Sequence, residues 1–198
     1  MKRYILSICL LALPVFGIDS TYKHTQKFEQ KTYTNMSYKA EVEMETDTDL
    51  DGSLDYIHYQ LLLSYKTKYL DIEPGFRYID KDQGYTSVPM IDLRNSIKAY
   101  GVPLKSRLRY AYEIPENKDA AYIIRYKLSS SGDLIYGFKL VPSCELFIND
   151  STDIYRTRYG GAVERNMKRW VISLGYEYND NEGKPNTQTY VTELGYKF

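Results

Sequence analysis

The sequence lacks both a net charge and a long hydrophobic run. Its 198 residues include 26 basic and 26 acidic side chains, so the formal net charge is zero and no long-range attraction to nucleic acid follows. No stretch of about 20 apolar residues is present, which argues against a helical membrane protein. The hydrophobic content of 43% argues against a disordered chain, so the apolar side chains must be interleaved with charged ones.

Cysteine is almost absent as well. The basic Met1–Arg3 and the short apolar stretch Tyr4–Phe16 predict a secretory signal peptide over residues 1–17. Its cleavage would remove Cys9 and leave Cys144 as the only thiol of the exported chain. The sequence therefore predicts an exported protein without an intrachain disulfide.

Tyrosine, by contrast, is abundant, with 22 residues. From residue 36 onward, apolar or aromatic side chains recur at every second position with charged or small residues between them, which is the period of a two-faced strand. The ten segments with this pattern lie at about 36–46, 55–66, 69–80, 88–100, 104–115, 119–128, 132–148, 153–165, 168–179 and 187–198. Polar loops and tighter turns alternate between them, as in an up-and-down barrel.

These segments predict an all-β protein, an up-and-down antiparallel transmembrane β-barrel of about ten strands, with twelve as the alternative. The barrel is assigned to residues 36–198. Residues 18–35 show no clear alternation, and three interpretations stay open for them: an N-terminal tail, a plug or an eleventh segment.

One face of the predicted strands carries no charge. This suits a lipid-facing surface, because a basic residue at the bilayer midplane costs about 2–4 kcal/mol. The alternative is a soluble sandwich or lipocalin-like barrel, whose apolar face would point inward. The abundance of tyrosine on this face, typical of interfacial girdles, favours the membrane barrel. The positions assigned to the lipid include Tyr38, Val42, Ile57, Leu61, Leu63, Ile72, Phe76, Leu93, Ile97, Leu108, Tyr110, Ile124, Tyr126, Phe138 and Leu140.

The last segment places Tyr190, Leu194, Tyr196 and the final Phe198 on one face. This pattern resembles the terminal strand that the outer-membrane assembly machinery of Gram-negative bacteria recognises. The resemblance implies a protein of the cell outer membrane, with outer-membrane lipid and the barrel assembly machinery as partners.

Three further stretches, Glu145–Asn149, Arg156–Tyr159 and Ser173–Tyr178, resemble the C-terminal half of a family of small outer-membrane barrels of unassigned function. The size and strand count are more distantly similar to those of the oligogalacturonate-specific porins, small barrels for acidic sugars. The first resemblance implies a fold and no activity, and the second implies transport.

The opposite face of the strands is charged and segregated. Acidic residues lie on the early strands and basic residues on the middle strands. A row of guanidinium groups offers bidentate sites for carboxylates and phosphates, which predicts a narrow porin-like channel for small anionic solutes. The alternative is a barrel whose charges pair and plug the lumen, acting through its outer loops in adhesion or envelope structure. The predicted pore-lining residues are Arg94, Lys98, Lys105, Arg107, Arg109, Arg125, Lys127, Lys139, Arg156, Arg158, Glu41, Glu43, Asp71 and Glu73.

An aspartate-rich loop follows the first predicted strand. Its residues Asp47, Asp49, Asp51, Ser53 and Asp55 have the spacing of D-x-D-x-D-G-x-x-D calcium loops, which supply oxygen ligands to a hard cation. The alternative is an ordinary acidic hairpin loop, since aspartate and glycine are favoured in turns. Calcium is the only cofactor that the sequence suggests.

The sequence gives little support to an enzyme. A hydrolase would need a nucleophile with a base in reach, and the chain has two histidines, His24 and His58. His58 and Ser64 lie on the same face of one predicted strand, but six residues of strand separate them by about 20 Å. We therefore expect no catalytic residues.

Overall fold

The computed structural model describes residues 19–33, 35–47, 54–81 and 84–198, and most of them lie in β-strands. The strands are β1 (Asp19–Tyr33), β2 (Met36–Asp47), β3 (Leu54–Lys66), β4 (Asp71–Lys81), β5 (Gly84–Ala99), β6 (Val102–Pro115), β7 (Ala121–Ser130), β8 (Gly132–Asp133), β9 (Phe138–Ile148), β10 (Ile154–Met167), β11 (Trp170–Asn181) and β12 (Thr187–Lys197). Within these ranges, no helix is both long and apolar enough to cross a membrane.

Eleven of these strands form a closed barrel, and the two-residue β8 pairs only with β9. Each long strand pairs antiparallel with its neighbours in the chain, and β7 pairs directly with β9. The barrel closes where β1 runs parallel to β12, from Asp19 opposite Thr187 to Glu29 opposite Lys197. An odd number of alternating strands gives the first and last strand the same direction, so the closing pair must be parallel.

The prediction of an all-β barrel is confirmed, with eleven strands where the sequence indicated about ten. The additional strand is β1, because residues 19–33 pair with both β2 and β12. The barrel therefore includes residues 19–33 in addition to the predicted range 36–198. Of the three interpretations left open for residues 18–35, the described residues 19–33 form the eleventh segment. The segment predicted over 132–148 is divided into β8, a 3-10 turn at Ile135–Gly137 and β9.

The strand connections fall at two ends of the barrel. We call the end that holds the connections between β2 and β3, β4 and β5, β6 and β7, β9 and β10, and β11 and β12 the loop end, and the other end the turn end. At the turn end, Tyr100 and Gly101 have φ angles of 51° and 82°. Two successive left-handed residues are typical of a type I′ hairpin, whose twist matches that of the strands.

Apolar side chains point away from the barrel axis, and charged side chains point toward it. The outward positions include Leu61, Leu174 and Ile97, which are 65%, 61% and 56% exposed. Inward residues such as Glu73 and Asp92 are completely buried. The face that the sequence analysis assigned to lipid is therefore the outer surface of the barrel.

A small apolar cluster interrupts the charged interior. Leu62, Val88, Met90 and Ala111 pack together on the inner side of β3, β5 and β6. Gly75 on β4 lies opposite Leu62, where an added Cβ would overlap the Leu61 carbonyl oxygen and the Leu62 side chain. Glycine is therefore needed at this position for Leu62 to lie flat against β4.

Prolines mark interruptions of the sheet, as their missing N–H group requires. Near Pro74, the β3–β4 pairing skips from Leu62–Gly75 to Tyr65–Ile72. Pro142 lies directly beyond the last β7–β9 pair, Ser129–Ser143.

Candidate functional site

The barrel encloses a cavity of about 910 Å³ with a strongly charged lining. Basic side chains outnumber acidic ones among the residues that line it. Eleven of the residues proposed from the sequence as pore-lining are among them: Arg94, Lys105, Arg107, Arg109, Arg125, Lys127, Lys139, Arg156, Arg158, Glu41 and Glu43.

The other three residues predicted to line the pore, Lys98, Asp71 and Glu73, are not among the residues that line the cavity. Lys98 is exposed near the turn end of β5, and Asp71 opens β4 at the same end. Glu73 points inward but is completely buried, because Lys39 and Arg94 cover its carboxylate.

The sequence analysis did not predict several of the residues that line the cavity, among them Lys23 and Lys27 on β1 and Arg77 on β4. Lys23, Thr25 and Lys27 do alternate with residues of the outer face, but the outer face of β1 carries His24 and Gln26. Because the middle of this strand is polar on both faces, the hydrophobic period that reveals the other strands is interrupted here.

We call Arg107, Arg109, Arg125, Arg156 and Arg158 the basic wall, which extends from β6 to β10. Its centre is a carboxylate. Glu145 on β9, only 2% exposed, accepts hydrogen bonds from Arg107 Nη2 at 2.6 Å and from Arg125 Nε at 3.1 Å. Arg158 Nη1 lies 3.8 Å from its second oxygen. One negative charge is thus shared by three guanidinium groups, and the basic wall keeps an excess of positive charge.

An aromatic ring supports the same guanidinium groups. The buried Phe147 ring lies 4.6 Å from the guanidinium carbon of Arg125 and 5.1 Å from those of Arg156 and Arg158. Each distance is within the range of a cation–π contact. The ring holds the three side chains at the inner surface, where they face the cavity.

A second buried group lies at the edge of the basic wall. Asp92 receives two hydrogen bonds from Arg109, from Nε at 2.6 Å and from Nη2 at 2.9 Å. Arg94 donates to the same carboxylate at 3.1 Å and also lies 2.8 Å from Glu73. This bidentate geometry fixes Arg109 as part of the wall and leaves Asp92 fully neutralised.

Across the barrel lies the acidic wall, which we define as Glu41, Glu43 and His58 on β2 and β3. The strand order puts β9 on the opposite side of the lumen from these two strands. Each carboxylate of the acidic wall lies near a lysine, and each lysine has a second carboxylate partner. Lys27 lies 3.7 Å from Glu41 and 2.5 Å from Glu193, and Lys23 lies 3.5 Å from Glu43 and 3.3 Å from Glu177. The acidic wall therefore shares both of its lysines with carboxylates of β11 and β12.

Lys23 also connects the two walls. Its Nζ lies 3.3 Å from Glu177 on β11, and Arg158 Nη1 lies 3.4 Å from the same carboxylate. The contact passes over β12, whose inward residues at this level, Thr189 and Val191, are small. The parallel seam is thus bridged by side chains as well as by backbone hydrogen bonds.

The histidines do not assemble a hydrolase within the described residues. Ser64 Oγ donates a hydrogen bond to Glu73 at 2.8 Å, away from His58. His24 lies on the outer face, 2.8 Å from Thr192 Oγ1. The expectation that the protein is not an enzyme stays a prediction.

The proposed calcium loop lies largely outside the described residues. Asp49, Asp51 and Ser53 fall in the undescribed range, while the backbone of Asp47 ends β2 and that of Asp55 lies at the start of β3. The calcium site stays a prediction.

The residues of the proposed assembly signal end the last strand. Tyr190, Leu194 and Tyr196 lie on the outer face of β12, and Phe198 follows its end, 4.6 Å from Tyr196 between ring centroids. Tyr196 also packs edge-on against Trp170 at 4.6 Å. Their recognition by the assembly machinery stays a prediction.

Comparison with known proteins identifies a family without an assigned activity. A family model described as "Protein of unknown function (DUF2490)" matches residues 20–190, so the chain belongs to this family. No curated protein and no solved structure matches the chain.

Proposed function

We propose that this member of the DUF2490 family is an outer-membrane β-barrel of a Gram-negative bacterium whose lumen passes small anionic solutes. One observation carries the proposal: an apolar outer surface encloses a cavity of about 910 Å³ in which basic side chains exceed acidic ones. A large exposed apolar surface needs lipid or another apolar partner to cover it. The excess of positive charge would attract anions and repel cations.

The position of the excess charge supports anion passage over mere internal pairing. Lys105 and Lys127 line the cavity, and in the described part of the chain no carboxylate lies within ion-pair distance of either lysine. They are therefore available to a solute, whereas most arginines of the basic wall already bind Glu145 or Asp92.

The first experiment establishes the membrane barrel. The membrane fraction is extracted with detergent and run on a gel, boiled and unboiled. A closed barrel has no free strand edge and resists the detergent until heated, so we expect the unboiled band to migrate differently. Recovery in the soluble periplasmic fraction without a mobility shift would contradict the proposed location.

The second experiment tests passage. Planar-bilayer recordings of the purified barrel should show discrete conductance steps with a reversal potential that indicates anion preference. The double variant Lys105→Gln plus Lys127→Gln should reduce this preference, because it removes two charges without leaving a buried carboxylate unpaired.

A matched control removes the same charge from outside the lumen. Lys66→Gln plus Lys68→Gln changes two exposed lysines at the turn end and should leave the anion preference unchanged. Equal effects of the two double variants would mean that surface charge, and not the lumen, sets the selectivity.

The second candidate function is a non-conducting barrel that acts through its loops. Contacts between strands that are not neighbours favour it: Arg107 reaches Glu145 over β7, and Arg109 Nη1 donates to Gln60 Oε1 at 3.4 Å. Such cross-links narrow the lumen. A folded, heat-modifiable barrel that stays silent in the bilayer at high protein concentration would favour this function.

A further inference from the structure

We infer that Glu41, Glu43 and His58 bind one divalent transition-metal ion inside the barrel. One oxygen of each carboxylate and one imidazole nitrogen lie within 4.8 Å of one another. Glu43 and His58 are direct partners in the β2–β3 register, and Glu41 lies two residues along the same inward face of β2. Two neighbouring strands therefore present all three groups from one patch of the wall.

The buried imidazole is the second observation that points to an ion. His58 is 2% exposed, and within the described residues its Nε2 has no hydrogen-bond partner. The Nε2 atom lies 3.5 Å from Glu41 Oε1. A buried nitrogen that makes no hydrogen bond has lost its hydration without a compensating hydrogen bond. A bound ion would supply the missing interaction.

The spacing of the atoms suits coordination better than direct ion pairing. His58 Nε2 lies 3.5 Å from Glu41 Oε1, and its Nδ1 lies 3.3 Å from Glu43 Oε1. Charge-assisted hydrogen bonds are shorter, about 2.7–2.9 Å. A tetrahedral ion with ligand bonds of about 2.0–2.2 Å separates adjacent ligand atoms by roughly 3.3–3.5 Å, which is the separation of His58 Nε2 and Glu41 Oε1. An imidazole gives only one of its two nitrogens to an ion, so Glu43 would complete the site with an oxygen that lies within 4.8 Å of the other two ligand atoms.

The lysines leave the inner oxygens of the carboxylates accessible. Lys27 approaches Glu41 through Oε2, and Lys23 approaches Glu43 through Oε2, whereas both Oε1 atoms face the histidine. The Tyr56 hydroxyl also donates to Glu43 Oε1, at 3.4 Å. Thr25 also donates to Glu43 Oε2, at 3.2 Å. These outer contacts orient the carboxylates in the way that outer-shell partners orient metal ligands.

The donor set selects the class of ion. Imidazole nitrogen suits zinc, copper, iron and nickel, while carboxylate oxygen alone suits magnesium and calcium. A nitrogen with two carboxylates therefore fits zinc or cobalt better than calcium. Because all three residues line the cavity, the ion would lie at the lumen surface and be reached from there.

The experiment titrates Zn²⁺ into the detergent-folded barrel after removal of metals with a chelator, followed by calorimetry. We expect one bound ion per chain. His58→Gln should weaken binding by about 100-fold or more, since loss of outer-shell partners alone costs about 10–100-fold. His24→Gln is the matched control, because it removes the other histidine, on the outer face, and should leave the affinity unchanged.

Two further measurements make the result decisive. The boiled and unboiled gel comparison shows that each variant is folded, and Glu41→Gln replaces His58→Gln as the test if the latter does not form the barrel. Co²⁺ bound by the wild-type barrel should give visible absorption bands that disappear in the site variant. Absence of stoichiometric Zn²⁺ binding by the folded wild type, or equal binding by the site variant, would overturn the inference; neither result depends on whether the lumen conducts.

Discussion

The two walls of the lumen neutralise their charges in different ways. In the acidic wall each lysine serves two carboxylates. Lys27 lies near Glu41 and Glu193, and Lys23 lies near Glu43 and Glu177. In the basic wall one carboxylate, Glu145, serves three arginines. The difference shows that a barrel can be neutral as a chain and still have one strongly cationic side inside. It also shows that three of the five arginines of the basic wall share one carboxylate.

The largest expected effect therefore follows from Glu145→Gln. The change leaves three guanidinium groups close together without their shared counter-ion, and breaking a buried ion pair in this way costs about 3–5 kcal/mol. Urea unfolding in detergent micelles, followed by the fluorescence of the single tryptophan, Trp170, measures the free energy of unfolding.

The matched variant belongs to the acidic wall. The Lys27 side chain is 41% exposed, and its partners Glu41 and Glu193 are 20% and 25% exposed. Lys27→Gln should therefore cost only about 0–1 kcal/mol, as for solvent-accessible pairs. A cost for Lys27→Gln as large as that for Glu145→Gln would show that the two walls do not differ in the way described.

An effect smaller than that of Glu145→Gln is expected where apolar packing lies between the two walls. Gly75→Ala places a methyl group against the Leu61 carbonyl and the Leu62 side chain. Overpacking of this kind typically costs about 1–3 kcal/mol, measured in the same urea titration. Gly161→Ala is the control, because nothing lies within 4 Å of an added Cβ there, and its stability should stay that of the wild type.

The smallest expected effect concerns the acidic loop that leads from β2 into β3. If the loop binds calcium, calcium should raise the temperature at which the barrel loses its gel mobility shift. Asp47→Ala plus Asp51→Ala should remove this dependence, and neither change should affect Zn²⁺ binding at His58. If calcium does not change the temperature at which the wild-type barrel loses its mobility shift, the loop does not bind calcium.

Strand periodicity was enough to predict the fold and the orientation of the side chains. Leu61 and Leu108 were assigned to one face and Arg107 and Arg109 to the other, and the structure has them on the outer and inner surfaces. The prediction succeeded because the period of a strand is two, so one correctly placed residue fixes the face of all others in that strand.

Periodicity failed for β1 and for the partners of the charged residues. The middle of β1 is polar on both faces, so its place in the barrel follows from its pairing with β12 and β2 and not from its own pattern. The sharing of Glu145 by Arg107, Arg125 and Arg158 depends on four different strands, so no single strand's pattern predicts it. Likewise, the meeting of Glu43 and His58 depends on the β2–β3 register.

The sequence by itself determined that the chain is a β-barrel with an apolar outside and a charged inside, because side-chain alternation is a local property of each strand. Only the tertiary structure decided the number of strands, the parallel closure and the partner of each charge. These depend on which strands become neighbours and in what register, and ion pairs between residues such as Lys23 and Glu177, 154 positions apart in the chain, form only once the barrel has closed.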